Sequence, residues 1–566
     1  MNRYQLMFVA ALLFSSSIYA QTLPGPAQAQ QIRRYMDNPV VTPEGPSTTS
    51  NVEVFKDQAP SLSSTAQKAK FKLNKIILTG NKVFSTETLS KIYQHDLHKE
   101  ITVGRLLQIV QEITDYYRAH GYISSKAMLP VQAAEKGTVH IIIVEGTVDR
   151  VSVTGSPKKS KSLVERYGHK IATCQPLELK CLEKYLLLAN EIPATIVHGI
   201  LKASENTPGA SDLILDTQHQ NVTGYITYDN YRTRYIGPQQ ITGHLEWNSF
   251  LMSGDNGQVT FAKTPKGQEL TFFNANYNAA MNAEGDRWLI GGTRTNTHPL
   301  FVLQPFDVNG TDRNYYTVLS FPHIRTLTEN LTYLVSFNYE NATATSFSDK
   351  LYTDQLRSLG VGVLYNMTDR TQAVNSFYVD LRQGLPIFGY TTNTAATALT
   401  SRPGGHAVYT KLDLQASRLQ PLFYNLSLYG LLKGQYGFQA LLTEEQFAFG
   451  GPELGRGYDI AEMLGDRALT GTLEARYDWN INRGFLSAMQ FYAFYDFGKM
   501  WNFFLPNGIP PNQSATSTGL GVRFFFTKYI SGNIMWTQPL TKQVAAEELI
   551  GNGRKPRTFF SLVASI

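Results

Sequence analysis

The stretch "LTGTLEARYD", residues 469–478, alternates apolar and polar side chains along its length. Successive side chains of a β-strand point to opposite faces, so this stretch predicts a strand with one oily face and one charged face. The apolar residues are Leu469, Leu473, Ala475 and Tyr477, and the polar ones are Thr470, Thr472, Glu474, Arg476 and Asp478. This pattern is typical of a membrane barrel with a wet interior.

The same alternation recurs from about Gln220 to Ile566, for example in "ITGHLEWN" (241–248) and "LTYLVSFNYE" (331–340). About sixteen such segments divide these 347 residues, which leaves about 22 residues for each strand and its connection. A membrane strand needs roughly 9 to 11 residues. We therefore predict a β-dominated membrane protein whose residues 220–566 form a 16-stranded antiparallel transmembrane β-barrel. A large soluble sandwich would also alternate, but no other element is available to cover so many tyrosine- and phenylalanine-rich strands.

The N-terminal residues predict export and a tethered helix. Arg3, the apolar run from Leu6 to Phe14 and the small residue Ala20 predict a signal peptide over residues 1–20. Residues 21–70 predict a short helix followed by a linker rich in Pro, Ser and Thr. In an exported chain, Cys174 and Cys181 predict a disulfide, with two free thiols as the alternative.

Two units of the order β-α-α-β-β separate the linker from the barrel, at residues 71–146 and 147–219. In the first unit, Ser85 or Thr86 is expected to cap one helix and Thr102 the next, and Gly121 to end the second helix. The second unit repeats this order with a diverged sequence. The pattern therefore predicts an internal duplication.

Composition and motifs argue against several functions. The net charge of +6 is spread over the chain without a basic stripe, so nucleic acid is not an expected partner. The eleven histidines are scattered, and C-x6-C without nearby histidines is a poor zinc pattern. The "DFG" at 496–498 lies inside an alternating strand and lacks the other kinase motifs. We expect no enzyme, no cofactor and no metal site.

The glycine-rich stretch "FGGPELGRGYD", residues 449–459, holds one arginine, Arg456. It falls in the connection between the eleventh and twelfth expected strands, which predicts a lumenal loop at 441–466. The thirteenth strand, "QFYAFYDFGKM" (490–500), turns Asp496 inward by alternation. Arginine suits a carboxylate partner, so we predict an Arg456–Asp496 salt bridge that holds the loop inside the barrel. Exchanging the two residues is expected to restore a function that either single change abolishes.

These two short motifs resemble those of the two-partner secretion outer-membrane translocators (TpsB) of the ShlB, FhaC and HecB type, which secrete or activate haemolysins and are related to BamA. The family's loop carries [VI]RG[YF] and its thirteenth strand carries F-x-D-x-G. The matching residues are Gly455, Arg456, Gly457 and Tyr458 in the loop, and Phe494, Asp496 and Gly498 in the strand. Gly455 departs from the pattern, which has a β-branched residue there.

The resemblance implies an N-terminal plug helix, two periplasmic POTRA domains and a barrel in the outer membrane of a Gram-negative bacterium. It also implies that the POTRA domains capture an unfolded TpsA-type exoprotein, such as a haemolysin or adhesin, which then passes through the barrel to the cell surface. The expected partners are this exoprotein, outer-membrane lipid and the barrel-assembly machinery. The alternatives are an outer-membrane protein insertase and a gated diffusion or uptake channel.

Overall fold

The computed structural model describes residues 23–37, 52–54, 67–132, 135–207, 209–265, 267–392, 399–503, 511–527 and 529–566. The predicted signal peptide and most of the predicted linker lie outside these residues. The N-terminal segment begins with a 3-10 turn, Gly25–Ala27, and helix α1, Ala29–Asp37. A short linker strand, β1, spans Val52–Val54.

The first β-α-α-β-β unit packs two helices on a three-stranded sheet. Its elements are β2 Lys70–Lys72, β3 Lys75–Thr79, α2 Thr86–Tyr93, β4 Glu100–Thr102, α3 Val103–Ala119, β5 Lys126–Met128 and β6 Thr138–Val144. Ser85 caps α2 by accepting a hydrogen bond from the Thr88 N–H, and Thr102 caps α3 in the same way. Gly121 follows α3 with φ of 92°, a backbone conformation that favours glycine. The two helices of this unit are therefore capped and ended as the sequence predicts.

The second unit has the same order of elements and one added strand. It contains β7 Val148–Ser156, α4 Lys161–Thr173, α5 Leu179–Asn190, β8 Thr195–Ala203 and β9 Ser211–His219. Its sheet has the order β1-β8-β9-β7, so the linker strand pairs in parallel with β8. A disulfide joins Cys174 at the end of α4 to Cys181 in α5.

Sixteen of the remaining strands close into an antiparallel barrel, which confirms the predicted fold and excludes the soluble sandwich. The barrel strands are β10 Val222–Asp229, β11 Gln240–Asn248, β12 Asn256–Lys263, β13 Leu270–Ala280, β14 Arg287–Thr297, β15 Val308–Arg325, β16 Glu329–Ser346, β17 Asp349–Thr368, β18 Val374–Gly384, β19 Thr410–Pro421, β20 Leu426–Gly437, β23 Arg467–Arg483, β24 Leu486–Trp501, β25 Asn512–Phe525, β26 Ile530–Pro539 and β27 Arg557–Ser565. Two short strands, β21 Phe447–Phe449 and β22 Met463–Gly465, lie between β20 and β23, and a short helix, α6 Ala545–Glu548, precedes β27. The first and last strands, β10 and β27, pair and close the cylinder.

The second unit docks on the short turns at one end of the barrel. The Leu163 N–H donates to Ser253 Oγ at 2.9 Å. Lys184 Nζ lies 2.6 Å from Glu284 Oε2. The longer connections lie at the opposite end of the barrel. No helix among the described residues is long and apolar enough to cross a membrane.

Candidate functional site in the barrel lumen

The connection between β20 and β23 folds back into the barrel. Its strands β21 and β22 pair as a hairpin, and the tip between them is largely buried. The hydrophobic cluster around it joins loop residues such as Phe449 and Tyr458 to wall residues such as Met500. The predicted lumenal loop, residues 441–466, therefore packs against the interior wall of the barrel.

Arg456 at the tip of this loop reaches the carboxylate of Asp496 on β24. Its backbone N–H donates to Asp496 Oδ2 at 2.8 Å, its Nε to the same atom at 3.1 Å, and its Nη2 to Oδ1 at 2.8 Å. The Phe494 ring lies beneath the guanidinium, with Cζ 3.4 Å from the ring centroid. Arg456 is 5% exposed and Asp496 is fully buried. Such a charge pair is strongly held, because breaking it would leave an unpaired charge out of water.

A second carboxylate on β23, that of Glu474, was missed as a partner of Arg456. Its Oε2 accepts from Arg456 Nη1. Its Oε1 accepts from Arg476 at 2.8 Å and from Arg523 at 3.0 Å. Alternation in "LTGTLEARYD" already placed Glu474 on the inward face, but sequence spacing gave no measure of its distance to a loop about 18 residues away. Arg456 is thus bound by two carboxylates, that of Glu474 on β23 and that of Asp496 on the neighbouring strand β24.

The motif glycines make room for the loop. Gly455 has φ of 74°, and a Cβ there would lie 2.6 Å from the Phe449 ring. A Cβ at Gly498 on the wall would meet the same ring at 2.5 Å. Gly457 lies against Ser517, where a Cβ would come within 2.8 Å of the Ser517 Cβ. These three positions need glycine because Phe449 and the wall occupy the space of any side chain.

The last motif residue, Tyr458, binds the loop to β25, the strand next to β24. Its hydroxyl donates to the Thr516 carbonyl at 2.8 Å and accepts from the Lys542 N–H at 3.2 Å. The ring is buried and packs near Phe449, with centroids 6.0 Å apart. The seven residues of the two sequence motifs are therefore gathered in one region of the lumen.

Helix α1 also lies inside the barrel, where Arg33 holds it to the wall. Arg33 Nε lies 2.5 Å from Asp312 Oδ2 on β15, and its Nη2 lies 2.7 Å from Glu340 Oε1 on β16. A third contact, at 2.8 Å, is made with Asp37 of the same helix. Asp312 and Glu340 are both buried. The helix thus repeats the arrangement of the loop, with one arginine held between acids of two adjacent strands.

The helix and the loop also contact each other. Gln31 Nε2 donates to the Thr443 carbonyl at 2.5 Å, and Arg34 Nη1 donates to the Gln446 carbonyl at 2.8 Å. A Cβ at Gly25 would lie 2.3 Å from the Ala461 carbonyl oxygen, so the chain before the helix runs close over the loop. The sequence predicts a helix here but none of these contacts. The signal that the sequence does offer is the alternation along β15 and β16, which places Asp312 and Glu340 on the inward faces of these strands.

The family model for the haemolysin secretion/activation protein ShlB/FhaC/HecB matches residues 209–524. The chain belongs to this family. A second family model, the POTRA domain of ShlB type, matches residues 71–146, which is the first β-α-α-β-β unit. As a family member, the protein is a two-partner secretion transporter of the outer membrane, with its POTRA domains in the periplasm.

The relatives cover most of the chain at low identity. The heme/hemopexin transporter protein HuxB of Haemophilus influenzae strain 86-028NP is 22% identical over 518 residues, which cover 88% of this chain and 89% of HuxB. The outer membrane transporter CdiB of Dickeya dadantii strain 3937 is 23% identical over 414 residues, 70% of each chain.

Solved structures show the same fold. CdiB from Escherichia coli superposes with a TM-score of 0.69 at 16% identity and covers 90% of this chain and 93% of its own. BamA from Haemophilus ducreyi lacking POTRA domains 1–3 superposes with a TM-score of 0.51 at 14% identity, covering 88% of this chain and all of its own. The barrel with its periplasmic units is thus an architecture that these proteins share with the ShlB/FhaC/HecB family member described here.

Proposed function

We propose that the protein captures an unfolded TpsA-type exoprotein at the sheet edges of its periplasmic units and passes it through the barrel once α1 and the lumenal loop have moved. The proposal rests on one observation: both α1 and the lumenal loop occupy the lumen. Arg33 and Arg456 each hold one insert between buried acids of the wall. An extended chain needs the same space, so transport requires at least one of these contacts to open.

The edge of the second unit supports a link between capture and opening. Strand β8 ends the sheet on one side, and the linker strand β1 covers it by parallel pairing. An extended client would add to an exposed sheet edge through backbone hydrogen bonds. The linker occupies that edge while α1 lies in the lumen, and withdrawal of the helix would let the linker leave. Client binding and removal of the helix would then favour each other.

A reversible disulfide cross-link between α1 and the barrel wall tests whether transport requires α1 to move. Thr293 Oγ1 on β14 donates to Asp37 Oδ1 at 3.1 Å, so D37C/T293C brings two thiols together. The oxidised double variant is expected to fold and insert but to stop surface release of its TpsA-type exoprotein, and reductant should restore release. The single variants D37C and T293C, and the wild type with reductant, are the controls. Undiminished release from a fully cross-linked chain would reject the proposed movement of α1.

A further inference from the structure

The outer wall of the barrel carries a groove of about 810 Å³ across β12, β13 and β14. Its floor is one row of small outward side chains that lie opposite one another: Val259, Ala275 and Gly292. Large side chains rise on both sides, among them Phe273 toward the long connections, and Tyr277 and Ile290 toward the short turns. Most of the barrel's outward positions carry large apolar or aromatic residues, so this row forms a recess in the lipid-facing wall.

Cations stand at the cell-surface side of the groove. Arg294 lines it, Arg313 is its direct neighbour on β15, and Lys263 lies one row further out on β12. All three are exposed, and none forms an ion pair with any residue in the described part of the chain. The second unit docks at the opposite end of the barrel and is periplasmic, so these cations face the outer leaflet.

The depth of the cations agrees with the headgroup level of that leaflet. Outward arginine is costly at the bilayer centre and tolerated near the interface. On β12 to β15 the next outward row is polar, with Lys263, Thr271, Asn296 and Thr311 opposite one another. The wall therefore changes from apolar to polar just where Arg294 and Arg313 stand. Arginine side chains bind phosphate oxygens in pairs of parallel hydrogen bonds.

We propose that this groove binds an acyl chain of lipid A, the phosphorylated glycolipid of the cell-surface leaflet, whose phosphate contacts Arg294 and Arg313. The three unpaired cations provide a charge complement for a phosphorylated headgroup, and the small residues on the floor leave space for a chain beneath it. Because barrel strands tilt by roughly 35–45°, a groove across them runs obliquely from the headgroup level into the bilayer. Lipid binding at this groove does not depend on the transport mechanism.

Native mass spectrometry of the detergent-solubilised full chain, titrated with bisphosphorylated lipid A, tests this site. One tightly bound lipid is expected, with at least tenfold weaker binding in R294Q/R313Q and in A275L, which fills the floor. The matched controls are K350Q/K499Q, two cations near the same end of the barrel but away from the groove, and A493L, an outward alanine on β24. Both controls should bind lipid A like the wild type.

Two further lipids test which headgroup the groove binds. Lipid A lacking one phosphate should bind more weakly, and phosphatidylglycerol should not displace bisphosphorylated lipid A. Equal displacement by phosphatidylglycerol would make the groove a general anionic-lipid site and overturn the assignment. Unchanged binding by both R294Q/R313Q and A275L would do the same, as would a dimer that forms through this face and is lost in A275L.

Discussion

Arg456 donates to Asp496 from its backbone N–H as well as from its guanidinium. The carboxylate thus fixes the position of the loop backbone and the direction of the side chain together. Glu474 takes the remaining end of the guanidinium, and the Phe494 ring supports its face. A planar cation with several donors fits this geometry, and a point charge does not.

The substitution Arg456→Lys should therefore weaken the loop contact although it keeps the charge. Lysine loses the paired hydrogen bonds and the stacking on Phe494, while Asp496 and Glu474 stay buried. Removing a partner from a buried pair costs about 3–5 kcal/mol, and we expect lysine to lose part of that. Recordings in planar lipid bilayers should show more frequent channel opening.

The matched control for this change is Arg476→Lys, which alters another partner of the same Glu474 carboxylate but lies on the wall. It should leave the opening frequency close to that of the wild type. Equal opening in both variants would show that the loop contact is not what closes the channel.

On the basis of the structure, we expect that the exchange R456D/D496R will not restore function, in contrast to the expectation from sequence. An aspartate at position 456 would face Glu474, which now holds Arg456, so two acids would meet in a buried space. Adding Glu474→Gln to the exchanged chain should recover part of the secretion of the exoprotein. Full recovery by the exchange alone would mean that Glu474 does not contact the loop in the working protein.

The substitution Arg33→Met should release α1 from the lumen, because Asp312 and Glu340 would be left buried without a cation. Channel conductance should rise, and a label on the helix should become accessible from the periplasm. Replacing the acids as well, in R33M/D312N/E340Q, should return the helix to the lumen since no unpaired charge remains. If the triple variant stays as open as R33M, the arginine acts through another contact.

The double substitution E53P/V54P should raise the affinity of the periplasmic units for an extended client peptide. The N–H groups of successive strand residues point to opposite sides, so one of the two prolines removes a hydrogen bond to β8. Fluorescence anisotropy of a labelled peptide on the full chain measures the change. The pair T48P/T49P, elsewhere in the linker, is the control. Weaker binding by E53P/V54P alone would mean that the linker strand supports the client site instead of covering it.

Docking of the second unit on the barrel should weaken in acid. Partial burial raises the pKa of Glu284, but hydrogen bonds from Lys184 and Lys170 outweigh this and hold its pKa at about 2, below the usual 4.5. The docked form therefore binds fewer protons, so its stabilisation is complete above pH 4.5 and is lost as pH falls from 4.5 to 2. The carboxylate is partly exposed, so solvent screening limits the effect to about 1 kcal/mol or less.

Distances between spin labels on the second unit and on the barrel would follow this docking. The wild type should show a growing undocked fraction below pH 4.5. The variant E284Q should lack that pH dependence and be partly undocked throughout. The same acid transition in wild type and variant would assign it to another group.

Much of the architecture follows from local patterns in the sequence. A period of two places Asp496 and Glu474 on the inner face of their strands, because the pleat of a strand leaves no other choice. The helices of the first unit begin directly after Ser85 and Thr102 because these side chains cap the free N–H groups of a first turn. Such signals act within a few residues and need no knowledge of the rest of the chain.

Apart from the predicted Arg456–Asp496 pair, only the tertiary structure decided which inward groups meet. Arg33 lies about 280 to 310 residues from its partners Asp312 and Glu340, and nothing local in the sequence links them. Closing the barrel brings distant strands side by side, and the space left inside selects the inserts by shape and charge. The sequence by itself thus determined the strands and their faces, and it predicted the Arg456–Asp496 pair. The contact of Glu474 with Arg456 and the position of α1 depend on the closed cylinder, and the pairing of the linker strand with β8 depends on the folded second unit.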